Sequence, residues 1–110
     1  MVWLHGEVKT PPFSRAARIE AGSLLRRLQA GEILGYPQAR PLAAIGRRCH
    51  ELRVRDRSLS WRIVVAVGPD AVVVLDVFAK RTRGIPNEVL ETCRRRLARY
   101  LEARQGGLRQ

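Results

Sequence analysis

The sequence predicts an α+β fold in which one small antiparallel β-sheet carries a helix on each face, in the order β-α-β-β-β-α. Two segments repeat apolar residues at the three- and four-residue spacing of a helix, and three segments between them alternate with a period of two. The last of these strands, residues 71–79, is apolar on both faces except at Asp76. Such a strand is typical of a sheet covered on both sides.

The first elements are a short strand and a helix. Residues 2–5 form the predicted strand, and the chain is interrupted at Thr10-Pro11-Pro12. Ser14 is a suitable N-cap and Gly31 a suitable stop for a helix. Its apolar side consists of Ala17, Ala21, Leu24, Leu25 and Leu28. Residues 32–48 are rich in proline and glycine, which predicts a connecting loop with at most one helical turn.

The three central strands are predicted at residues 50–55, 61–67 and 71–79, and the short turns between them favour an antiparallel meander. A final helix begins near Pro86, at position N1, and runs to about Ala103. Its apolar side is predicted to contain Leu90, Cys93, Leu97 and Leu101, and arginines cover the rest. Residues 105–110 contain two glycines and are expected to fray.

Length and charge limit the function. A chain of 110 residues is expected to form one domain, spanning residues 1–110. Its net charge is +11, and nineteen of its 21 basic residues are arginine, whose planar fork matches phosphate oxygens. We therefore expect an acidic partner, with nucleic acid first, an acidic protein second and an anionic membrane surface third.

Several classes of protein are excluded by the pattern. The longest apolar run, residues 63–67, is too short to span a bilayer, and the first residues do not form a signal peptide. Cys49 and Cys93 provide neither a disulfide framework nor the spacing of metal ligands, so we expect two buried thiols. The sequence thus predicts a soluble, reduced, cytoplasmic protein without a metal or another cofactor and without a membrane partner.

The alternation of the strands predicts a cationic surface. If the strands pair in register, one face of the sheet collects Glu51, Arg53, Arg55, Arg62, Asp76, Phe78 and Lys80. A slip of one residue would move the whole set to the other face. The opposite face is predicted to bury Leu52 and Val54, together with His50 as a structural histidine.

The order of these segments resembles the RelE/ParE superfamily of toxins, in its phage-derived, HigB-like branch. The blocks that carry the resemblance are Pro37-Gln38-Ala39-Arg40-Pro41-Leu42, Ile45-Gly46, Glu51-Leu52-Arg53, Trp61-Arg62-Ile63-Val64, and Val77 to Thr82 followed by Pro86 and the arginine-rich helix. The resemblance covers nearly the whole chain and implies a RelE-like fold. It implies a type II toxin that cuts mRNA in the ribosomal A site without metal. Its implied partners are the ribosome, mRNA and a small antitoxin, often with a HigA-like helix-turn-helix domain.

The chain departs from the family pattern at three positions. Val65 stands where a tyrosine is usual, so an aromatic side chain that can stack on a base is absent there. Lys80-Arg81 stands where two lysines are usual. Ile85 replaces a threonine before Pro86 and cannot cap the helix.

Metal-free RNA cleavage needs a base for the 2′-OH, donors for the phosphoryl oxygens and an acid for the leaving oxygen. Lys80 is the candidate acid or base, because neighbouring cations favour its neutral form, although it can equally serve as a phosphate contact. Arg53 and Arg62 are candidate phosphate clamps, or else ion-pair partners of Glu51 or Asp76. Glu51 is a candidate base, but the favoured interpretation is that it holds an arginine, since a carboxylate among arginines is a weak base.

Further residues are expected to contact RNA. They are Arg55, Arg81, Arg83 and Phe78, of which Phe78 is either a stacking residue or part of the core. Asp76 is expected to pair with Arg62 or Lys80. The arginines of the last helix either contact ribosomal RNA or form a solvated face.

Two other functions fit the same sequence. One is a ParE-like toxin that binds DNA gyrase and does not cleave RNA, and the other is a basic RNA-binding module that has kept the fold without catalysis. A gyrase-binding protein would carry its determinants on helices, whereas here the cations lie on the strands. The endoribonuclease is therefore the favoured interpretation.

Overall fold

The computed structural model describes residues 2–3, 12–68, 71–80 and 84–108, and within these ranges a five-stranded sheet lies between two helices. The elements are β1 (Val2–Trp3), α1 (Arg15–Gln29), β2 (Ala39–Pro41), β3 (Cys49–Asp56), β4 (Leu59–Val67), β5 (Val72–Ala79) and α2 (Asn87–Leu108). The strand order is β1-β5-β4-β3-β2. Strands β2 to β5 are antiparallel neighbours, while β1 pairs with β5 in parallel. The predicted α+β class, with a helix on each face of the sheet, is confirmed.

Strand β2 corrects the prediction that residues 32–48 form only a connecting loop. Ala39 lies opposite Leu52, and Arg40 lies opposite Glu51. A strand of three residues is too short for its alternation to be recognised, and it ends at Pro41. Proline is tolerated here because β2 is an edge strand, where a missing amide hydrogen disrupts little pairing.

Helix α1 begins and ends where the sequence predicts. The Ser14 hydroxyl accepts a hydrogen bond from the amide nitrogen of Ala17, and Gly31 follows the C-cap with a φ of 89°. Glycine adopts this left-handed conformation without the steric cost that a side chain would impose. The predicted apolar side of α1 is buried against one face of the sheet, where Leu52, Val54, Ile63, Val65 and Val74 complete the core.

Asp56 links the end of β3 to the start of α1. Its Oδ2 accepts a hydrogen bond from the amide nitrogen of Ser14 at 2.8 Å. This bond lowers the pKa of the Asp56 carboxyl, because it stabilises the ionised form. A carboxyl whose pKa is lowered by folding stabilises the native state above its unfolded pKa, and the contribution is lost as the pH falls through the folded value.

We therefore expect Asp56→Asn to lower the midpoint of thermal unfolding at pH 7, and the gap between variant and wild type to close at pH values below about 4. Thermal denaturation at pH 7, 5 and 3 measures this gap. Glu91→Gln, at an exposed position of α2, is the control and should leave the midpoint nearly unchanged. A gap that stays constant across this pH range would contradict the assignment.

Helix α2 covers the other face of the sheet. The core on this side consists of Leu42, Cys49, Val64, Ala66, Val73, Leu75 and Cys93. Tyr100 packs against this core, whereas Leu101 is 49% exposed, so the predicted apolar stripe is wrong at its last position. The carbonyl of Pro86 accepts a hydrogen bond from the amide of Leu90, and the helix starts one residue after the predicted one.

The C-terminal end of α2 also differs from the prediction. The helix continues to Leu108, so the expected fraying is wrong for residues 105–108. Glycine costs about 1 kcal/mol in a helix interior, but extending an existing helix requires no new nucleation. None of the described helices combines the length and the apolarity that a transmembrane span requires.

A β-bulge explains where Asp76 finds its partner. Val64 lies opposite Asp76 and Val65 opposite Val74, so Leu75 has no partner on β4. Arg96 of α2 donates a hydrogen bond from Nη1 to the Leu75 carbonyl at 2.7 Å, and the same atom lies 3.3 Å from Asp76 Oδ1. The prediction that Asp76 pairs with Arg62 or Lys80 is therefore wrong. Asp76 pairs with Arg96 of α2, which also binds the backbone of the bulge.

Both cysteines are buried in the core beneath α2, as expected for small apolar groups. Burial raises the pKa of the Cys49 thiol, and it raises the pKa of Cys93 from 9.0 to about 12. A thiol reacts as its thiolate, and this shift reduces the thiolate fraction of Cys93 at pH 8 about a thousandfold.

We expect neither thiol to react with a thiol-specific reagent at pH 8 in the native protein, and both to react at once in denaturant. A time course with Ellman's reagent measures this difference. Rapid release of one or two equivalents of chromophore from the native protein would contradict the burial.

Candidate functional site

The strand register places the predicted cations on one face of the sheet. Arg53 of β3 lies opposite Arg62 of β4, and Arg62 lies opposite Phe78 of β5. In the next row Arg55 lies opposite Ser60, whose carbonyl accepts a hydrogen bond from the Lys80 amide at 2.8 Å. By alternation from Phe78, the position of Lys80 falls on the same face.

Glu51 is the centre of this surface. Its carboxylate is buried, with 1% of the residue exposed, and Oε1 lies 3.1 Å from Arg40 Nε, 3.3 Å from Arg62 Nε and 3.9 Å from Arg53 Nε. Three guanidinium groups share one carboxylate, so the cluster carries a net charge of about +2. We call Glu51 and these three arginines the Glu51 cluster.

Arg40 is the member of the Glu51 cluster that sequence analysis missed. The sequence pattern predicts a loop at Arg40, and in a loop no alternation assigns the side chain to a face. In the structure β2 pairs Arg40 directly with Glu51, and Arg40 Nε donates a hydrogen bond to Glu51 Oε1. The only signal in the sequence was its place within the Gln38-Ala39-Arg40-Pro41 block.

Arg62 is held more tightly than a surface arginine. Only 4% of the residue is exposed, and Nη1 donates a hydrogen bond to Ser60 Oγ at 2.7 Å. Burial lowers the pKa of its guanidinium, and the Glu51 carboxylate opposes this effect. Arginine keeps its charge in proteins, so Arg62 presents a fixed cation. Of the two predicted roles, the ion pair with Glu51 is the one that the geometry contains.

Arg53 is held more loosely. Its side chain is a quarter exposed, and its distance to Glu51 is the longest of the three. Among the described residues, no acceptor lies within hydrogen-bonding distance of Arg53 Nε. Its guanidinium carbon lies 5.0 Å from the centroid of the Tyr36 ring. Arg53 is therefore less constrained than Arg62, and the exposed part of its guanidinium can contact a ligand.

Arg53 and Arg62, together with Arg55, line a cleft of about 480 Å³ near the β3–β4 turn. Its walls are Glu20, Pro37, Gln38, Arg53, Arg55, Ser60 and Arg62. The three arginines outnumber the single glutamate, so the cleft attracts anions. Guanidinium forks and a hydroxyl are the groups that bind a phosphate diester by charge-assisted hydrogen bonds. We call this space the arginine cleft.

Other predicted residues lie outside the arginine cleft. Lys80 is exposed and does not belong to the described residues that line the arginine cleft. Phe78 packs against the core beneath α2, which favours its core role over stacking. Arg81 and Arg83 lie outside the described residues, as do residues 4–5 of the predicted first strand.

The face of the sheet opposite the arginine cleft contains Val65 and, across from it on β3, His50. Val65 is fully buried in the core beneath α1, so it does not face the arginine cleft. His50, which is predicted to be a structural histidine, is partly buried, and within the described residues its Nδ1 has no hydrogen-bond partner. Within the same described ranges, no group of three or more histidine, cysteine or acidic side chains is positioned to hold a metal ion.

Two arginines of α2 have structural partners. Arg94 Nε donates a hydrogen bond to the Ala44 carbonyl at 2.9 Å, and Arg96 contacts the bulge of β5. They anchor α2 to the sheet and to the segment after β2. These two residues thus make intramolecular contacts that the sequence does not predict, and Arg94 remains exposed.

Of the comparisons with known proteins, the one with protein-family models gives a match. Residues 12–98 match the family model described as Phage derived protein Gp49-like (DUF891). No curated protein and no solved structure matches the chain significantly. The matched segment contains every residue that lines the arginine cleft, together with Glu51, Arg40 and Lys80.

Proposed function

Since the chain belongs to the phage-derived Gp49-like family, which is associated with RelE-like toxins, we propose that it is the toxin of a type II toxin–antitoxin pair and an endoribonuclease that cleaves translated mRNA. The observation that supports this proposal most strongly is the arginine cleft above the Glu51 cluster. In this cleft, arginine side chains from one face of the sheet surround a space large enough for a nucleotide phosphate.

In the proposed reaction, the 2′-oxygen attacks the adjacent phosphorus and the bond to the 5′-oxygen breaks. The products are a 2′,3′-cyclic phosphate and a 5′-hydroxyl, so no water is consumed. One proton leaves the 2′-OH and one reaches the 5′-oxygen, while negative charge grows on the phosphoryl oxygens. Fixed guanidinium groups stabilise that charge without reorganisation during the reaction.

We assign the residues different roles. Arg53 and Arg55 contact the phosphate, because both line the arginine cleft and retain exposure. Arg62 is almost fully buried in the wall of the arginine cleft, where it contributes a fixed positive charge. Glu51 is a positioning residue, because its carboxylate is enclosed by three guanidinium groups.

Lys80 is proposed as the group that moves a proton. Its backbone is hydrogen-bonded to Ser60, a residue of the cleft wall, so the side chain starts beside the cleft. A lysine amine can donate or accept a proton, whereas an arginine remains protonated. Lys80→Arg should therefore retain RNA binding and lose cleavage.

The partners follow from the charge. A net charge of +11 favours a polyanionic partner, and in the proposed function this partner is mRNA on the ribosome. A toxin-like protein also requires a neutralising antitoxin, for which we propose a small protein with an acidic binding segment and a helix-turn-helix domain.

The test is to express the chain alone in a bacterium and to map mRNA 5′ ends. The proposal predicts new ends inside translated codons with wild type and with Arg95→Ala, an exposed control on α2, and none with Lys80→Ala. Double-strand DNA breaks with an SOS response and intact mRNA would instead identify a gyrase poison. Soluble, folded protein with neither effect would identify a non-catalytic module.

A further inference from the structure

We infer that Tyr36 is a stacking platform for an unpaired base of the bound RNA, at the rim of the arginine cleft. The side chain stands out among the aromatic residues that the structure describes, because 76% of the residue is exposed. An exposed aromatic ring offers a flat apolar face on which a base can stack. The inference rests on the proposed function, since it specifies how the same site holds its substrate.

The backbone fixes Tyr36 beside the arginine cleft. The next two residues, Pro37 and Gln38, form part of its wall. The Gln38 carbonyl accepts a hydrogen bond from the Arg53 amide at 2.9 Å, and the Ala39 amide donates to the Gly35 carbonyl at 3.0 Å. The segment that carries the ring is therefore attached to β3, next to the proposed phosphate contacts.

The ring is also held by a side chain. The Arg53 guanidinium lies against it, with 5.0 Å between the guanidinium carbon and the ring centroid, a geometry typical of a cation–π contact. Because most of Tyr36 remains exposed, the rest of the ring is open to a ligand. Arg53 thus contacts both the ring and the arginine cleft, and it sets the spacing between a base and its phosphate.

This arrangement selects single-stranded RNA. A base in a duplex is already stacked on its neighbours and paired, whereas an unpaired base can leave the strand and lie on an aromatic ring. Stacking does not read the hydrogen-bonding edge of a base, so Tyr36 should bind all four bases with small differences.

The test is fluorescence anisotropy with a labelled single-stranded RNA octamer and the same octamer with abasic sites. Tyr36→Ala should weaken binding of the normal octamer about 5- to 100-fold. Tyr36→Phe should retain the affinity within about twofold, because the ring remains. Ile33→Ala, which changes an exposed apolar residue of the same loop, is the control and should bind like wild type.

The abasic octamer separates stacking from an indirect effect on Arg53. Wild type and Tyr36→Ala should bind it equally. An equal loss on both octamers, or no loss on the normal one, would overturn the stacking role. If wild type cleaves mRNA in the cell and Tyr36→Ala binds normally, only this inference fails. If wild type does not bind the octamer but cleaves mRNA in the cell, only the inference fails. If wild type neither binds the octamer nor cleaves mRNA, the proposed function fails as well.

Discussion

Replacing Glu51 with glutamine is expected to lower the free energy of unfolding by about 3 kcal/mol. The glutamine side chain has nearly the same shape, but it leaves three guanidinium groups facing one another without a compensating charge. Arg62 suffers most, because it is buried and cannot regain water. Urea denaturation at pH 7, with linear extrapolation, measures the change.

A second substitution separates the loss of charge balance from the loss of packing. In the Glu51→Gln background, Arg62→Met removes the buried cation, so it should restore part of the lost stability. Glu32→Gln is the surface control: its ion pair with Arg27 is exposed at both ends and should matter by less than about 1 kcal/mol. A Glu51→Gln variant as stable as wild type would show that the buried carboxylate does not organise the Glu51 cluster.

The double variant Arg53→Ala/Arg55→Ala is expected to lose about 100-fold in affinity for single-stranded RNA at about 0.1 M salt. In the proposed function each arginine supplies a charge-assisted contact to a phosphate, and both residues line the arginine cleft. The variant should also produce no mRNA cleavage in the cell. Anisotropy with a labelled octamer measures the affinity, and circular dichroism checks that the variant is folded.

The matched control is Arg47→Ala/Arg48→Ala, which removes the same charge from exposed positions just before β3 begins, at the end of that strand away from Arg55. This control should lose less than about fivefold, since it changes only the long-range field. Equal losses in the two double variants would mean that the RNA responds to net charge and not to the arginine cleft.

Alternation along the strands predicted much of this site. A period of two places Arg53 on the same face of β3 as Glu51 and Arg55, and the short turn to β4 then brings Arg62 into register opposite Arg53. The surroundings of Glu51 were also predictable in part, because a carboxylate on a cationic face attracts arginines. The sequence therefore predicts which residues share this face of the sheet and that the face is positively charged.

The missed features depend on contacts distant in sequence. Arg40 joins Glu51 through a three-residue strand that leaves no periodic signal, and Asp76 meets Arg96 only because a bulge at Leu75 faces α2. Tyr36 lies in a segment without regular structure, where an aromatic residue has no assigned face. These pairings arise only in the tertiary structure, so the pattern of neighbouring residues in the sequence does not predict them.

The most direct test of the arginine cleft is the salt dependence of RNA binding. On single strands the logarithm of the association constant falls with the logarithm of the salt concentration, with a slope of about −0.7 for each phosphate contact. Arg53→Ala/Arg55→Ala should reduce the steepness by about 1.4, while Arg47→Ala/Arg48→Ala should leave it unchanged. If the cleft variant keeps the wild-type slope, the phosphates lie elsewhere on the protein and the proposed binding surface is wrong.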